Sequence, residues 1–491
     1  MRLGDKYQIN ALSFVSSYLI SMKRLLLLIT FQLCFLTYGA NSQTTKSNNG
    51  LYLIKNVNVI SMTIPDKVIY NASVVISSNV IESINGTIPP NCKVIEAKGK
   101  WLIPGLIDAH VHVTTDAYFG QKLPTQKPDL SFNTQDVMTP FIANGVTTIV
   151  DLNASMETFS QKKEIERGWT IGPRIALAAL INGGKGQGRI ANTAEEGRLL
   201  VRNAKAEGYD FVKVYSKLNV ETYRAIIDEA NKLEIRAIGH IPDAFQGNLE
   251  QAFVPGFGMI AHAEELSKHA KAYTVDEAMS FAKLAKDNGT ALLPTLTTMV
   301  WIAKQSHSID SIKKSPTLTY VHPLLQSKWL TANNYAKNAT KGKVAYFDTL
   351  VQFQYQLVKA FKDAGVPIIA GTDAGVSGVV SGFSLHDELE ELVKSGLTPQ
   401  EALASATITA AQWIGNDKFV GTIESGKLAD LVLLDKNPLV DIKNTRTIEG
   451  VFVNGIWLDK KTISHLLADL AKRNTQDIDK FDWMKTINGE K

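Results

Sequence analysis

The residues best suited to chemistry stand at the end of the apolar run Leu102 to Val113, where His110 and His112 are separated by a single residue. On an extended strand, side chains two apart share a face, so the two imidazoles would stand side by side. Neutral imidazole suits zinc and its neighbours, which makes the pair half of a divalent-metal site. The bland alternative is an ordinary hydrogen-bonded histidine pair. Other polar residues close other apolar runs. Lys213 lies in Phe211 to Tyr215, His240 in Arg236 to Ile241, His262 in Met259 to Ala263, and Asp373 directly follows Val366 to Gly371 and Thr372.

The elements that must position these residues can be read from the texture of the chain. From residue 101, apolar strand candidates alternate with helical stretches. Besides the run ending at 113 they are Gly145 to Leu152, Arg174 to Leu180, Phe211 to Tyr215, Arg236 to Ile241, Met259 to Ala263, Ala291 to Leu296 and Val366 to Gly371. Eight alternating units predict an α/β fold with a parallel (β/α)8 TIM barrel over residues 101–417. Such a barrel gathers its strand ends at the C-terminal mouth, where catalytic groups are found. Four of the nine histidines lie at these ends, whereas chance would scatter them.

Residues 51–100 carry short alternating runs (Leu51 to Ile60, Val68 to Ile76, Val80 to Ile84, Val94 to Ala97) separated by Asn, Pro and Gly. These are strand signals without helical periodicity. Strand character returns at Val420 to Ile423, Asp430 to Asp435 and Gly450 to Trp457. Residues 51–100 plus 418–458 therefore predict one small β-sandwich-like domain built from both ends of the chain. Residues 297–350 interrupt the barrel between its seventh and eighth strands. Insertions on such loops overlie the active-site face, so this one is either a lid or recognition segment or an inert helical decoration. Residues 459–491 are charged and predict a surface helix and tail.

At the N-terminus, Lys23 and Arg24 precede the apolar run Leu25 to Leu36, and small residues follow at Gly39, Ala40 and Ser42. A basic start, a short apolar segment and a small-residue ending predict a signal peptide over 1–42, with Met22 an alternative start. The run is short for a membrane span. The expectation is an exported protein, periplasmic or secreted if bacterial, with no stable span after signal removal. The chain of 491 residues has a formal charge of +4, and Arg2, Lys6, Lys23 and Arg24 against Asp5 account for most of it. The remainder is close to neutral, which argues against nucleic acid as a partner. Of two cysteines, Cys34 falls in the signal segment and leaves Cys92 without an intrachain partner. A small-molecule substrate is the expected partner, and a homo-oligomer is left open.

The ordered set of His110, His112, Lys213, His240, His262 and Asp373 resembles the amidohydrolase superfamily, as do Gly105 to His112, Gly371 to Asp373 and the segment Gly426 to Leu433. The resemblance spans roughly 51–458 and is nearest the prolidase-like and imidazolonepropionase-related branch. It implies that His110 and His112 bind the more buried of two divalent metal ions with Asp373, and that His240 and His262 bind the second. It also implies that Lys213 is N6-carboxylated by carbon dioxide, because an ammonium would repel a cation whereas the carbamate bridges two. The alternative is a lysine paired with Asp373 in a mononuclear site. Zinc is the default metal for His-rich hydrolytic sites.

On that resemblance the activity is hydrolysis of an amide-type C–N bond in a small peptide, N-acyl amino acid or cyclic amide, through a metal-bridging hydroxide. Asp373 would serve as general base and then acid. A lactonase or esterase on the same centre is the alternative, and a non-catalytic metal-binding scaffold is the reading outside enzymology. In the glycine-rich loop 183–189, Lys185 stands where prolidase-like relatives commonly carry histidine. Lys185 or Arg189 could meet a substrate carboxylate, and Tyr215 could hydrogen-bond substrate or simply pack. Glu264 and Glu265 are candidates to support His262, Asp108 to buttress His110, and His386 to lie near the mouth.

Overall fold

The computed structural model describes residues 50–63, 68–113 and 132–488. The expected signal segment, with Met22 and Cys34, lies outside the described residues. Among those residues no helix is long and apolar enough to cross a membrane.

Two sheets organise the chain. The first holds β1 (Leu51–Ile60), β2 (Val68–Ser77), β3 (Val80–Ile84), β4 (Lys93–Glu96) and β5 (Trp101–Pro104). It also holds β14 (Leu431–Leu434), β15 (Ile448–Val453) and β16 (Ile456–Asp459), in the order β16-β15-β14-β5-β1-β2-β3, with β4 also paired to β1. Both ends of the chain thus meet where β5 pairs antiparallel with β14, Leu102 opposite Leu433. Val57, Val74, Leu102, Leu431 and Phe452 pack into the core of this sheet. One local expectation fails and another is refined. Val420 to Ile423 forms no strand, and this sheet is reached from the preceding loop by a single bridge, Val80 to Leu428. The run Gly450 to Trp457 is a hairpin, because Asn454 and Gly455 both take left-handed backbone angles and turn the chain.

The second sheet is parallel and runs β6 (Leu106–Val111), β7 (Val146–Asp151), β8 (Arg174–Asn182), β10 (Phe211–Val214), β11 (Arg236–Gly239), β12 (Phe257–Ala261) and β13 (Ala291–Leu293), with the short β9 (Arg189–Ile190) beside β8. The run 102–113 is therefore divided between two sheets at Gly105. A side chain there would collide with Thr147, its Cβ falling 2.1 Å from Oγ1. Interior positions of the barrel are filled by Ile107, Ala109, Val150, Ala178, Phe211, Ile238, Met259 and Leu293. Helices pack around the outside, as the alternation predicts.

The expected eighth strand, Val366 to Gly371, is not a regular strand. It is an irregular extended segment bridged to β13 at Leu292–Ile368, and beyond it Ala374 is bridged to β6 at Val111. Backbone bonds Ile369 N–H to Leu292 O and Ala109 N–H to Ala370 O close the ring. Gly371 permits this approach, since a Cβ there would lie 2.9 Å from the His110 backbone nitrogen. Between β13 and this segment stand helices Leu296–His307, Pro323–Thr331 and Lys341–Asp363 with shorter turns between them. The C-terminal helix Lys460–Gln476 is held to helix Thr134–Ala143 by the Arg473–Asp136 ion pair at 2.6 Å.

Candidate metal centre

His110, Lys213, His240, His262 and Asp373 come from five different strand ends, and the barrel brings them to one place. Strand β6 is not regular there. Its register with β7 slips between Asp108 and Val111, a bulge of the kind that re-aims side chains beside active sites. The His110 and His112 rings nevertheless lie side by side, with centroids 5.3 Å apart. Asp373 Oδ1 sits between them, 3.2 Å from His110 Nε2 and 3.0 Å from His112 Nε2. The ligating atoms of these three residues all lie within 4.8 Å of one another, a spacing that could hold one metal ion.

Lys213 Nζ lies 3.2 Å from His110 Nε2. The His262 ring is 4.6 Å from that of His110 and 4.9 Å from that of His240, which continues the cluster across the cavity. The outer nitrogens of these last two rings are tethered. His240 Nδ1 faces Glu265 Oε1 at 2.9 Å, and His262 Nδ1 faces Thr295 Oγ1 at 2.8 Å. His240 Nε2 is buried and has no hydrogen-bond partner among the described residues. An imidazole anchored through one nitrogen, with the other buried and idle, is the arrangement a metal-binding histidine requires. The donor set therefore fits divalent cations.

The electrostatics follow from burial. Burial, aided by the Lys213 charge, pushes His110 down to about 3, and burial pushes Lys213 down to about 8. Burial likewise lowers His262. Burial alone would raise Asp373, but the imidazoles of His110 and His262 hold it well below the usual carboxylate range. Glu265 is also held down, to about 2, by His240 and Lys268 against its own burial. Three of the residues here carry left-handed backbone without being glycine: His262, Thr295 and Asp373, with φ of 77°, 48° and 61°. Such angles cost roughly 1–3 kcal/mol each and persist where the surroundings over-determine them.

Supporting residues only partly match expectation. Asp108 does buttress the site. Its Oδ1 accepts from the His110 and Thr372 N–H groups and its Oδ2 from Thr372 Oγ1 at 2.7 Å, tying β6 to the closing segment. Glu265 orients His240 rather than His262, because it also caps the neighbouring Ile241 N–H. Thr295, which holds His262, went unnoticed in the sequence, and only its position two residues past the end of β13 could have suggested it. His386 is buried against Thr445 Oγ1 at 2.9 Å, in a helix flank away from the cavity lining.

The centre opens into a cavity of about 290 Å³, lined by His112, Lys213, Tyr215, His240, His262 and Asp373 together with Gln187, Glu264, Thr298, Met299, Tyr335 and Gln354. Tyr215 is present as expected, its ring 4.1 Å from that of His240. The two expected cations are not among the lining residues. Arg189 is buried in a pair with Glu207 and lies over the Tyr209 ring, which satisfies its guanidinium away from the cavity. Lys185 is exposed, and Gln187 is the residue of that loop that reaches the cavity. From the insertion Thr298, Met299, Ile302, Tyr335 and, just beyond it, Gln354 form cavity wall.

Comparison with known proteins points the same way. The sequence profile of the amidohydrolase family matches residues 101–458. The 5-methylthioadenosine/S-adenosylhomocysteine deaminase of Caldanaerobacter subterraneus subsp. tengcongensis is 23% identical over 87% of this chain and 94% of its own length. A shorter stretch, 34% identical to the imidazolonepropionase of Thermoplasma volcanium, covers 22% of this chain and 27% of that enzyme. Among solved structures, a Xaa-Pro dipeptidase with methionine in its active site superposes with a TM-score of 0.63 at 22% identity, covering 83% of this chain and 100% of its own. Bottromycin amidohydrolase gives 0.68 at 20%, covering 88% and 92%.

Proposed function

Because the chain belongs to the amidohydrolase family and is a hydrolase of carbon–nitrogen bonds, we propose that it is an exported, metal-dependent enzyme cleaving an amide-type bond of a small peptide, N-acyl amino acid or cyclic amide. One observation carries this reading. Residues from five strand ends face one cavity, and the His240 and His262 rings are each anchored from behind by a protein oxygen.

His110, His112 and Asp373 would hold one divalent ion, and His240 and His262 a second, zinc being the default. Bound ions supply two things here, acidification of a water to a nucleophile and polarisation of the scissile carbonyl. Lys213, buried beside His110, would serve the pair as its carbamate. Its uncharged amine would add to carbon dioxide, forming an N–C bond as one C=O π bond opens and an N–H proton is released, so that the side chain would offer an anionic oxygen in place of an ammonium.

The remaining chemistry belongs to the chain. Asp373, the carboxylate at the centre of the cluster, takes the proton of the attacking water and returns it to the leaving nitrogen. Its carboxyl is held ionised by the neighbouring imidazoles, the state a base needs at neutral pH. Glu265 and Thr295 hold the Nδ1 atoms of His240 and His262, which leaves Nε2 of each ring as the nitrogen that would bind a metal ion.

The test is to strip metal from the purified mature chain, restore zinc, and screen dipeptides, N-acyl amino acids, cyclic amides and lactones. Zinc-dependent release of an amine is the expected result. Turnover confined to lactones or esters would move the centre to the alternative class. Absence of both bound metal and hydrolysis would favour a scaffold.

A further inference from the structure

Gln354 sits on helix Lys341–Asp363, between the seventh strand and the closing segment, and is one of the residues that line the catalytic cavity. The residue is only 1% exposed, and its Nε2 has no hydrogen-bond partner among the described residues. A buried amide nitrogen left unpaired bears its desolvation penalty uncompensated, so an idle one calls for a partner. Its neighbours on the wall cannot supply one by packing alone. Met299, Ile302 and Leu350 form a small apolar cluster there. On the same helix Phe353 and Leu357 are buried, so a hydrophobic side chain would be at home at 354.

An unpartnered donor beside Met299 and Ile302 in the lining of a hydrolytic centre reads an acceptor on the substrate. The charge of that acceptor is constrained by Glu264, which lines the same cavity. Its nearest cation, Lys268, is 3.6 Å away and is bound more closely to Glu265, at 2.6 Å. Glu264 is thus only partly neutralised and would repel an anionic group. A neutral carbonyl satisfies both residues where a carboxylate would not.

We infer that Gln354 is a specificity-determining residue whose amide nitrogen binds an uncharged carbonyl on the part of the substrate remote from the scissile bond. The substrate class is then an acylated or internal amide, such as an N-acyl aminoacyl compound, in preference to one ending in a free carboxylate. This rests on the reading of the cavity as an amide-hydrolase site.

The experiment uses the zinc-loaded mature chain and two hydroxamates that anchor at a metal whether or not hydrolysis occurs. N-acetyl-leucine hydroxamate carries the remote carbonyl, and 4-methylpentanoyl hydroxamate lacks the acetamido group. Calorimetry should show the first bound about tenfold more tightly. Gln354→Met, which keeps volume and removes the donor, should bring the ratio to about one by weakening the first ligand alone. Gln354→Glu should do the same at equal zinc content, which guards against a folding artefact in either variant. A ratio near one in the wild type, or a ratio preserved in both variants, overturns the inference. Hydrolysis intact with no discrimination sinks the inference alone, whereas discrimination with no hydrolysis sinks only the catalytic reading. Failure of both hydroxamates to bind sinks both.

Discussion

Glu265 offers the sharpest test of how the centre is held. The carboxylate is 1% exposed and takes three bonds: His240 Nδ1 at 2.9 Å, Ile241 N–H at 3.1 Å and Lys268 Nζ at 2.6 Å. Glu265→Gln keeps the shape and one acceptor oxygen but removes the charge that holds the imidazole. The partners of metal-bound histidines are typically worth 10–100-fold in metal affinity, or about 1.4–2.7 kcal/mol. The folding cost should be smaller, about 1–2 kcal/mol, because Ile241 keeps an acceptor and Lys268 is 38% exposed and can be solvated. Ser216 Oγ lies 3.2 Å from the same histidine nitrogen and can take over part of the duty. The single variant should therefore fall near the low end of the range, and Glu265→Gln with Ser216→Ala nearer the high end. Zinc affinity is measured by competition with a chromophoric chelator, alongside thermal unfolding of the metal-free chain. A double variant that binds zinc within about twofold of wild type would refute the claim that these residues orient a ligand.

Three further outcomes follow from the same geometry. Asp373→Asn should retain bound metal through His110 and His112 yet lose roughly 10²–10⁴-fold in turnover, and near-normal rates would remove Asp373 from proton transfer. Native mass spectrometry should find Lys213 heavier by one carbon dioxide, and Lys213→Met should bind less zinc per chain; an unmodified lysine with full zinc content in the variant would contradict the bridging role. Glu388, on helix Phe383–Lys394 and buried against the start of helix Leu296–His307, has its carboxyl pushed up to about 8 by burial, against the bonds it accepts from the Leu296 and Thr297 N–H groups. Its proton is held more tightly folded than unfolded, so its contribution is complete below the ordinary value of 4.5 and fades as pH rises towards 8. Thermal unfolding should thus weaken over that interval less in Glu388→Gln than in wild type, and parallel profiles would count against it.

Much of this protein is written in local pattern. A strand needs only a few apolar residues in a row, so seven of the eight barrel strands and both sources of the small sheet could be marked from runs such as Phe211 to Tyr215. The six residues at the strand ends stood out because polar groups closing apolar runs have no packing reason to be there. Where the sequence misled, the deciding interaction was distant. Val366 to Gly371 reads as a strand, yet its irregular path answers to β6 and β13, which lie far away along the chain. In the run 102–113 only the Pro104–Gly105 dipeptide hints at the division, and the close approach of Thr147 that requires glycine there is not visible along the chain.

What the sequence determined by itself is the chemistry on offer: the fold class, and the identity of His110, His112, Lys213, His240, His262 and Asp373 as a set. What only the tertiary structure decided is which groups serve them. Arg189 looked available for substrate until Glu207 claimed it, and Glu265 looked like a partner of His262 until the barrel turned it towards His240. Gln354 carries no local signal, and Thr295 only its place just past the end of β13. The reason is physical: a side chain's type is a local property, but its partner is chosen by which strands and helices the fold brings within three ångströms or so, and that distance is not recorded in spacing along the chain.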